Sequence, residues 1–370
     1  MAPLEIDIVC YLKTYRLNKG WTQGDLAEKA GIRRQAVYDI ESGRYLPNTA
    51  VALRLARLFD CRVEDLFVDH APPETQRLDL VHGEAESSSR LALARVRNQL
   101  VGLPLEGAGA MPFGFCSADG LMASDKKSAV MLTSEATLDR TLILMGCDPA
   151  FGMIEQHLSR KISNARVHCR FASSTKALEG LAQGAAHLAG THLHNTGREE
   201  ANLVMVAEKM KGTPNHVVGF SLMEEGLMVA RGNPLGIRSA ADLAQPGIRF
   251  VNREPGAALR VLLDDQLMRA GVPGEAIAGY HTPVTSHGDG AARVACNAVD
   301  AALGLKGVAE AWHLDFVSMA VARCDLVIPV DLETHPAVNA LLDLLQSGAM
   351  RREIDSLPGY DGAVTGKMIV

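Results

Sequence analysis

The sequence predicts a multidomain protein in which an all-α N-terminal domain and a small, β-rich connector precede a two-lobed α/β domain. Three observations lead to this fold class. A chain of 370 residues is too long for one ordinary domain. Residues 1–70 contain only short helical periodicities, whereas residues 141–370 alternate apolar runs with helical stretches. Hydrophobic residues at 47% and charged residues at 22% are typical of globular chains and exclude a disordered one.

The net charge of −6 would ordinarily argue against a nucleic-acid partner. The acidic residues are unevenly distributed, however. Residues 1–70 contain ten Lys or Arg and ten Asp or Glu, so the whole acidic excess lies in residues 71–370. Residues 13–44 contain seven basic and four acidic residues. The N-terminal part is therefore the part of the chain whose charge suits a contact with DNA.

Cysteine spacing and apolar runs restrict the cellular location. The seven cysteines are scattered and form no CxxC pair, which is typical of reduced thiols rather than of disulfides or a zinc site. No apolar run approaches the ~18 residues of a membrane helix, and the N-terminus lacks the apolar core of a signal peptide. We expect a cytoplasmic protein with no metal, no cofactor and no membrane partner.

Short helices with clear start and stop signals fill the N-terminal domain. Thr22 and Asp25 have capping-box spacing, and Gly31 follows the helix that they begin. Helices this short must pack on one another, and the two that meet at Gly31 form a helix-turn-helix. The predicted helical segments are residues 8–15, 22–30, 33–42, 47–58 and 63–67.

The strings TQGDLAEKAGIRRQAVYDIESGRYLPN and ALRLARLFDCRVEDLF resemble the lambda-repressor/Cro-like (XRE-type) DNA-binding domain over residues 6–68. The resemblance implies that the second helix of the motif enters the major groove of operator DNA, where Arg can pair with guanine and Gln with adenine. The alternative is that these polar residues are simply solvated on a protein-interaction module. The DNA-binding residues that the resemblance implies are Gln23, Arg33, Arg34, Gln35, Tyr38, Asp39 and Arg44.

The connector, residues 71–140, has weaker signals. Pro72-Pro73 between polar flanks is typical of a hinge. The string RLALARVRNQLVGLP alternates loosely and predicts two short strands around Arg97-Asn98. A flexible linker would leave its leucines and valines exposed, so we expect a small β subdomain.

The C-terminal domain, residues 141–370, alternates strands with helices, which favours parallel sheets with ligand sites at the carboxyl ends of strands. About 230 residues suffice for two such lobes with a cleft between them. Helices are predicted after Pro149 and Ser173 and near 256–270, 287–297, 306–313 and 334–346. Strands are predicted at 141–145, 167–172, 187–193, 226–229, 248–251, 298–303, 316–320 and 325–329.

Small polar residues stand where several of these strands pass into helices. Such helix starts offer unpaired N–H groups and, if they converge, could bind an oxyanion. Each also has a purely structural interpretation: the serines can be caps, Cys147 a buried thiol, His192 a structural histidine, and Arg260 a partner of Asp264. The candidate ligand-binding residues are Cys147, Asp148, Ser173, Ser174, His192, Asn252, Arg253, Arg260, Ser286 and His287.

Phrases such as MGCDPAFGMIEQHL and VNREPGAALRVLLD, in order over residues 141–330, resemble the periplasmic-binding-protein-like domain of bacterial helix-turn-helix regulators, related to molybdate-binding proteins. The resemblance implies a type II binding-protein fold and a ligand such as molybdate, tungstate or a molybdenum-cofactor-related molecule. Gly256-Ala257-Ala258 replaces the expected Gly-Ser-Gly turn, and Glu254 would repel a dianion. A larger or less anionic ligand therefore stays open.

These features together predict a one-component transcriptional regulator, not an enzyme, that binds operator DNA as a homodimer or higher homo-oligomer and senses a small effector in the cleft. Two alternatives stay open. The chain could be an enzyme that uses Cys147 as a nucleophile near His192 or His287. It could also be a regulator of a non-anionic metabolite.

Overall fold

The computed structural model describes residues 8–69, 75–81, 85–106, 115–195 and 200–370. The chain divides between residues 74 and 75 into two units, each with its own core. The predicted hinge Pro72-Pro73 lies outside the described residues. No helix in the described ranges is long and apolar enough to cross a membrane.

The first unit is a bundle of short helices around a core of Leu12, Leu26, Val37 and Leu55, none of which is exposed. Its helices are α1 (Leu12–Asn18), α2 (Gln23–Ala30), α3 (Arg34–Glu41), α4 (Thr49–Phe59) and α5 (Val63–Leu66).

The ends of α2 follow the sequence signals. Thr22 Oγ1 accepts from Asp25 N at 3.2 Å while Thr22 N donates to Asp25 Oδ2 at 2.8 Å, which is the predicted capping box. Gly31 ends the helix with a left-handed φ of 62°. The predicted helical segment at Ile8 is wrong, because Ile8–Cys10 is a strand, β1, that pairs antiparallel with β2, Phe67–Asp69.

A buried ion pair joins α1 to α3. Arg16 Nε and Nη2 donate to the two carboxylate oxygens of Glu41 at 2.6 and 3.1 Å, and Arg16 Nη1 donates to Trp21 O at 2.7 Å. Burial opposes the charge on Glu41, but the hydrogen bonds from Arg16 and Gln23 outweigh it and lower the pKa of the carboxyl group. Breaking such a pair by removing one partner typically costs about 3–5 kcal/mol, so Arg16 and Glu41 fix the base of the predicted reading helix.

The second unit begins with the predicted β subdomain. Arg97 and Asn98 both have positive φ, 50° and 65°, and form the tight turn of a hairpin. The described strands of its sheet, in spatial order β3-β8-β7-β5-β6-β4, are β3 (Thr75–Arg77), β4 (Asp79–Leu80), β5 (Arg90–Val96), β6 (Gln99–Pro104), β7 (Gly120–Met122) and β8 (Ser128–Met131).

The α/β domain is built on a second sheet whose described strands run in the order β10-β9-β11-β16-β12-β15-β13-β14, with β17 beside β12. Its strands are β9 (Thr141–Gly146), β10 (Arg166–Phe171), β11 (Leu188–Thr191), β12 (Asn215–Val229), β13 (Phe250–Arg253), β14 (Pro283–Val284), β15 (Ala301–Leu305), β16 (Asp315–Pro329) and β17 (Tyr360–Asp361). Its helices are α6 (Glu135–Leu138), α7 (Gly152–Lys161), α8 (Ser174–Ala182), α9 (Ala201–Lys209), α10 (Ala258–Ala270), α11 (His287–Ala295), α12 (Lys306–Ala311), α13 (Pro336–Leu345) and α14 (Gly348–Asp355).

Two long antiparallel strands join the lobes. The predicted strands at 316–320 and 325–329 are one continuous strand, β16, which pairs with β12 along its length. The expectation of parallel sheets is therefore only partly met. β9 pairs parallel with β10 and β11, and β13 pairs parallel with β14 and β15, but β12 pairs antiparallel with β15 and β16. Lobe one contains β9–β11, and lobe two contains β13–β15; each has its own apolar core.

The β subdomain is attached to lobe one by buried polar contacts. Asp119 accepts from Leu93 N at 2.9 Å within the subdomain. It also forms an ion pair with Arg166 at 2.6 Å and a hydrogen bond with His168 Nε2 at 2.8 Å, both on β10. Arg97 forms a further ion pair with Asp331 at 2.5 Å. These contacts place the subdomain against lobe one as part of the same unit.

His187 also joins the two parts. Its Nδ1 accepts from Ile143 N at 3.0 Å and its Nε2 donates to Arg95 O at 3.0 Å, which requires the neutral ring. Burial, followed by the neighbouring His335, lowers the pKa of His187 to about 3.

We expect the free energy of unfolding to fall as the pH drops below about 6.5, the ordinary His pKa. Between about pH 6.5 and pH 3, His187 is protonated in the unfolded chain but neutral in the folded protein. The free energy of unfolding therefore falls by up to about 1.4 kcal/mol per pH unit as the pH drops. Denaturant titrations of wild type and His187→Asn across this range measure the difference in slope. His216→Asn, at a half-buried ion pair with Glu333, is the control; equal slopes for wild type and His187→Asn would contradict the assignment.

Candidate functional site

The exposed side of α3 is a polar surface. Arg34, Gln35 and Tyr38 are exposed and, with the half-buried Gln23, line a shallow depression. Exposed Arg44 lies 5.4 Å from the Tyr38 ring. These five residues of the predicted DNA-binding set are therefore neighbours.

The remaining members of the set have local roles. Arg33 is exposed and precedes α3 as its N-cap residue. The Asp39 carboxylate accepts from Gln35 Nε2 at 3.1 Å, one turn away. Gln23 Nε2 donates to Glu41 at 3.0 Å, so the Glu41–Arg16 pair also orients Gln23. The surface offers guanidinium and amide donors, which suit base edges and phosphates.

A second site is a cavity of about 560 Å³ between the two lobes. Its polar lining comes from two of the predicted helix starts: Cys147 and Asp148 before α7, and Ser286 and His287 at α11. Much of the remaining wall is apolar. It includes Phe151, Met153, Phe171, Val308, Trp312 and Leu357.

Cys147 stands at the end of a buried chain of charged groups. His192 donates from Nε2 to Cys147 Sγ at 2.7 Å and from Nδ1 to Glu225 Oε1 at 2.6 Å. Burial disfavours charge on His192, but the Cys147 sulfur and the Glu225 carboxylate outweigh it and raise the pKa of His192 well above its ordinary value. The geometry is that of a thiol, an imidazole that can donate a proton to it, and a carboxylate that orients the imidazole.

Asp148, the residue after Cys147, is a buried carboxyl group with hydrogen-bonding partners of its own. Its Oδ1 accepts from Ala150 N at 2.9 Å and from the Tyr360 hydroxyl at 2.8 Å. Burial raises the pKa of Asp148 above its ordinary value despite these hydrogen bonds. Asp148 is therefore a cap that tethers the C-terminal β17 strand to the cavity wall.

Lobe two contributes Arg253 and His287. Arg253 is almost fully buried, yet Glu254 already pairs with its Nε and Nη2 at 3.0 and 3.1 Å, and the guanidinium lies 5.3 Å from the Phe171 ring of lobe one. Burial, followed by the charges of Arg253 and His192, lowers the pKa of His287 well below its ordinary value. The neutral His287 ring hydrogen-bonds to the Cys147 backbone, and this contact crosses the cleft.

Six of the predicted ligand-binding residues are not among those that line the cavity: Ser173, Ser174, His192, Asn252, Arg253 and Arg260. Ser173 caps α8, and Ser174 Oγ accepts from His192 N at 3.2 Å. Asn252 donates to Tyr280 O at 3.0 Å. Arg260 stacks on Tyr280 at 3.8 Å and bonds to Asp264 at 3.2 Å, which is the structural alternative for this residue.

Several functional side chains are not indicated by the sequence. Glu225 lies inside a strand next to Glu224, and only its complete burial in the structure distinguishes it from that neighbour. Phe171, Trp312 and Tyr360 come from distant elements and meet only in the fold. The described residues contain no group of three or more His, Cys, Asp or Glu arranged to hold a metal ion.

Comparisons with known proteins agree with this division. Residues 12–66 match a helix-turn-helix family, and residues 155–346 match the family described as the PBP superfamily domain. The uncharacterized protein YvgK from Bacillus subtilis is 29% identical over 229 residues, which cover 62% of this chain and 73% of YvgK. An uncharacterized HTH-type transcriptional regulator from Archaeoglobus fulgidus is 40% identical over 57 residues, 15% of this chain and 81% of that protein.

Among solved structures, the sulfate-binding protein SubI from Mycobacterium tuberculosis superposes with a TM-score of 0.42 at 14% identity, covering 60% of this chain and 86% of SubI. The family matches confirm both predicted resemblances, to an XRE-type helix-turn-helix domain and to a periplasmic-binding-protein-like domain. The chain belongs to the PBP superfamily domain family and carries a helix-turn-helix domain ahead of its two-lobed ligand-binding domain.

Proposed function

We propose that this protein is a one-component transcriptional regulator of the cytoplasm, which binds operator DNA through α3 and senses a small molecule in the cavity between the lobes. The observation that carries the proposal is the presence, in one chain, of a helix-turn-helix domain with exposed Arg and Gln side chains on α3 and of a binding-protein domain with a cavity. A homodimer would present two copies of α3 to a two-fold symmetric operator.

The charges around the cavity bear on the class of ligand. A molybdate or tungstate dianion needs donors that are not already neutralised, but Arg253 is paired with Glu254 and His192 with Glu225 and Cys147. The walls are largely apolar, and Trp312 is 44% exposed. These features favour an organic ligand of low charge, such as a pterin-like, molybdenum-cofactor-related molecule or another metabolite, over a bare oxyanion.

Ligand binding would alter DNA binding by shifting a conformational equilibrium. The cavity lies between two lobes, so a ligand that contacts both favours the arrangement that brings them together. Coupling free energies of about 1–3 kcal/mol, or roughly 5–150-fold in affinity, are typical.

Arg34→Ala is expected to weaken operator binding by about 1–3 kcal/mol if Arg34 pairs with a base. The operator is first selected from random DNA with the wild-type protein, and binding is then measured by fluorescence anisotropy. Arg57→Ala removes the same charge from an exposed site on α4 and is the control. Equal affinities for wild type and Arg34→Ala would remove Arg34 from the interface.

A thermal-unfolding screen with molybdate, tungstate, sulfate, phosphate and pterins tests the ligand class. A ligand at one hundred times its Kd stabilises the folded protein by about 2.7 kcal/mol and raises the unfolding midpoint by several degrees. Trp312→Ala should weaken an organic ligand about tenfold and leave an oxyanion response unchanged, while Tyr45→Ala, outside the cavity, alters neither. A response to oxyanions alone, unaffected by Trp312→Ala, would contradict the preference for an organic ligand.

A further inference from the structure

The cavity contains a nucleophilic group that ordinary ligand binding does not use. We propose that Cys147 captures a small conjugated carbonyl compound by forming a covalent thioether, with His192 as the proton donor and Glu225 as the residue that orients His192. The capture does not depend on DNA binding, but its regulatory effect rests on the function proposed above.

The first support is the geometry at sulfur. Cys147 lines the cavity, and its Sγ is 2.7 Å from His192 Nε2. Glu225 accepts from the other ring nitrogen at 2.6 Å and is itself completely buried, so His192 is held in one orientation and one charge state. A charged imidazole next to a cysteine stabilises the thiolate, which is the reactive form.

The second support is that burying the charged groups of His192 and Glu225 costs folding free energy. His192 and Glu225 are nearly inaccessible to solvent, and Glu225 Oε2 has no hydrogen-bond partner among the described residues. Buried charges seldom stabilise a fold more than well-packed apolar residues would. Such a charged chain that ends on a thiol in a cavity is therefore better explained by chemistry than by folding.

The third support is the cavity itself, which selects the class of electrophile. A volume of about 560 Å³ with Phe171 and Trp312 in its wall suits an organic molecule with a planar, apolar body. Ser286 also lines the cavity, and its hydroxyl is a donor of the kind that a carbonyl oxygen accepts from.

Conjugate addition balances without a further reactant. The Cys147 thiolate attacks the β-carbon and forms the S–C bond, the π electrons of the C=C bond move to the α-carbon, and the α-carbon takes the proton from His192 Nε2. His192 becomes neutral and still donates to Glu225. No group leaves, so the thioether holds the ligand in the cavity as a captured effector instead of releasing a product.

His287 gives the capture a structural consequence. Its ring bonds to the Cys147 backbone from lobe two and lies edge-on to Phe171 of lobe one, with ring centroids 5.9 Å apart. An adduct on Cys147 therefore occupies the contact between the lobes, where it can change the conformation on which DNA binding depends.

The test uses the full chain and the planar enone 2-cyclohexen-1-one. Peptide mapping by mass spectrometry follows the adduct at Cys147 and, as an internal reference, at the exposed Cys296. Cys169, which also lines the cavity, is a second reference. We expect Cys147 to react at least about tenfold faster than Cys296 at pH 7, because an ordinary thiol is only a few per cent thiolate there.

The pH profile separates reactivity from mere accessibility. If His192 holds Cys147 as the thiolate, as proposed, the Cys147 rate should be almost constant between about pH 6 and pH 8, whereas the rate of a thiol without such a partner rises almost tenfold per pH unit. His192→Gln keeps a hydrogen-bonding side chain but removes the acid, and should slow Cys147 by about tenfold or more and restore the ordinary pH profile. Cys296→Ser should leave the Cys147 rate unchanged.

A Cys147 rate equal to that of Cys296, or one that rises with pH in the same way, would overturn the capture. Operator binding by the modified protein gives a separate result. A changed affinity that Cys147→Ser abolishes supports the regulatory role, and an unchanged affinity at full modification overturns that role. If neither the unmodified nor the modified protein bound any selected operator, the proposed function would be contradicted. The adduct mapped at Cys147 would still support the capture.

Discussion

The antiparallel pairing of β12 with β16 is the constraint on which the rest of the second unit depends. The two strands pair from Asn215↔Pro329 to Val229↔Asp315 and belong to both lobes. The register shifts between Glu225 and Gly226, where a Cβ on Gly226 would stand 2.1 Å from Val317 O. Only glycine fits there. The irregularity beside Glu225 is therefore part of what lets a strand of the central sheet supply a carboxylate to His192.

The two units handle buried charge differently. In the first, Arg16 and Glu41 neutralise each other, and the bidentate pair fixes helix geometry. In the second, His192 has a hydrogen-bonding partner on each ring nitrogen, the Glu225 carboxylate and the Cys147 sulfur, and the sulfur faces a cavity. The first arrangement has no exposed reactive atom, whereas the second directs its charge to one. Because of this difference, we assign a structural role to the Arg16–Glu41 pair and propose a chemical role for the Cys147–His192–Glu225 chain.

Local signals were sufficient for features that depend on neighbouring residues. Thr22 with Asp25 predicted a helix start, and Arg97-Asn98 predicted a hairpin, because caps and tight turns are set by side chains a few positions apart. Long-range pairing was not predictable in this way. Ile8 has a helical spacing but pairs with β2. The predicted strands at 316–320 and 325–329 left out residues 321–324, which pair with β12 as part of one continuous strand. The predicted ligand-binding residues that line the cavity all stand at helix starts, where the ends of the preceding strands fix their position. They are Cys147, Asp148, Ser286 and His287.

The attachment of the β subdomain shapes how a ligand could act on DNA. Asp119 and His187 tie the subdomain to lobe one through buried contacts, and it is also the segment that follows the helix-turn-helix unit in the chain. Lobe two is joined to lobe one mainly through β12 and β16, and across the cleft by contacts such as that of His287 with Cys147. Under the proposed function, lobe two is the element that a ligand in the cavity would move. The effect on DNA binding would then come from an altered balance between lobe arrangements, biased by the ligand's different affinity for each.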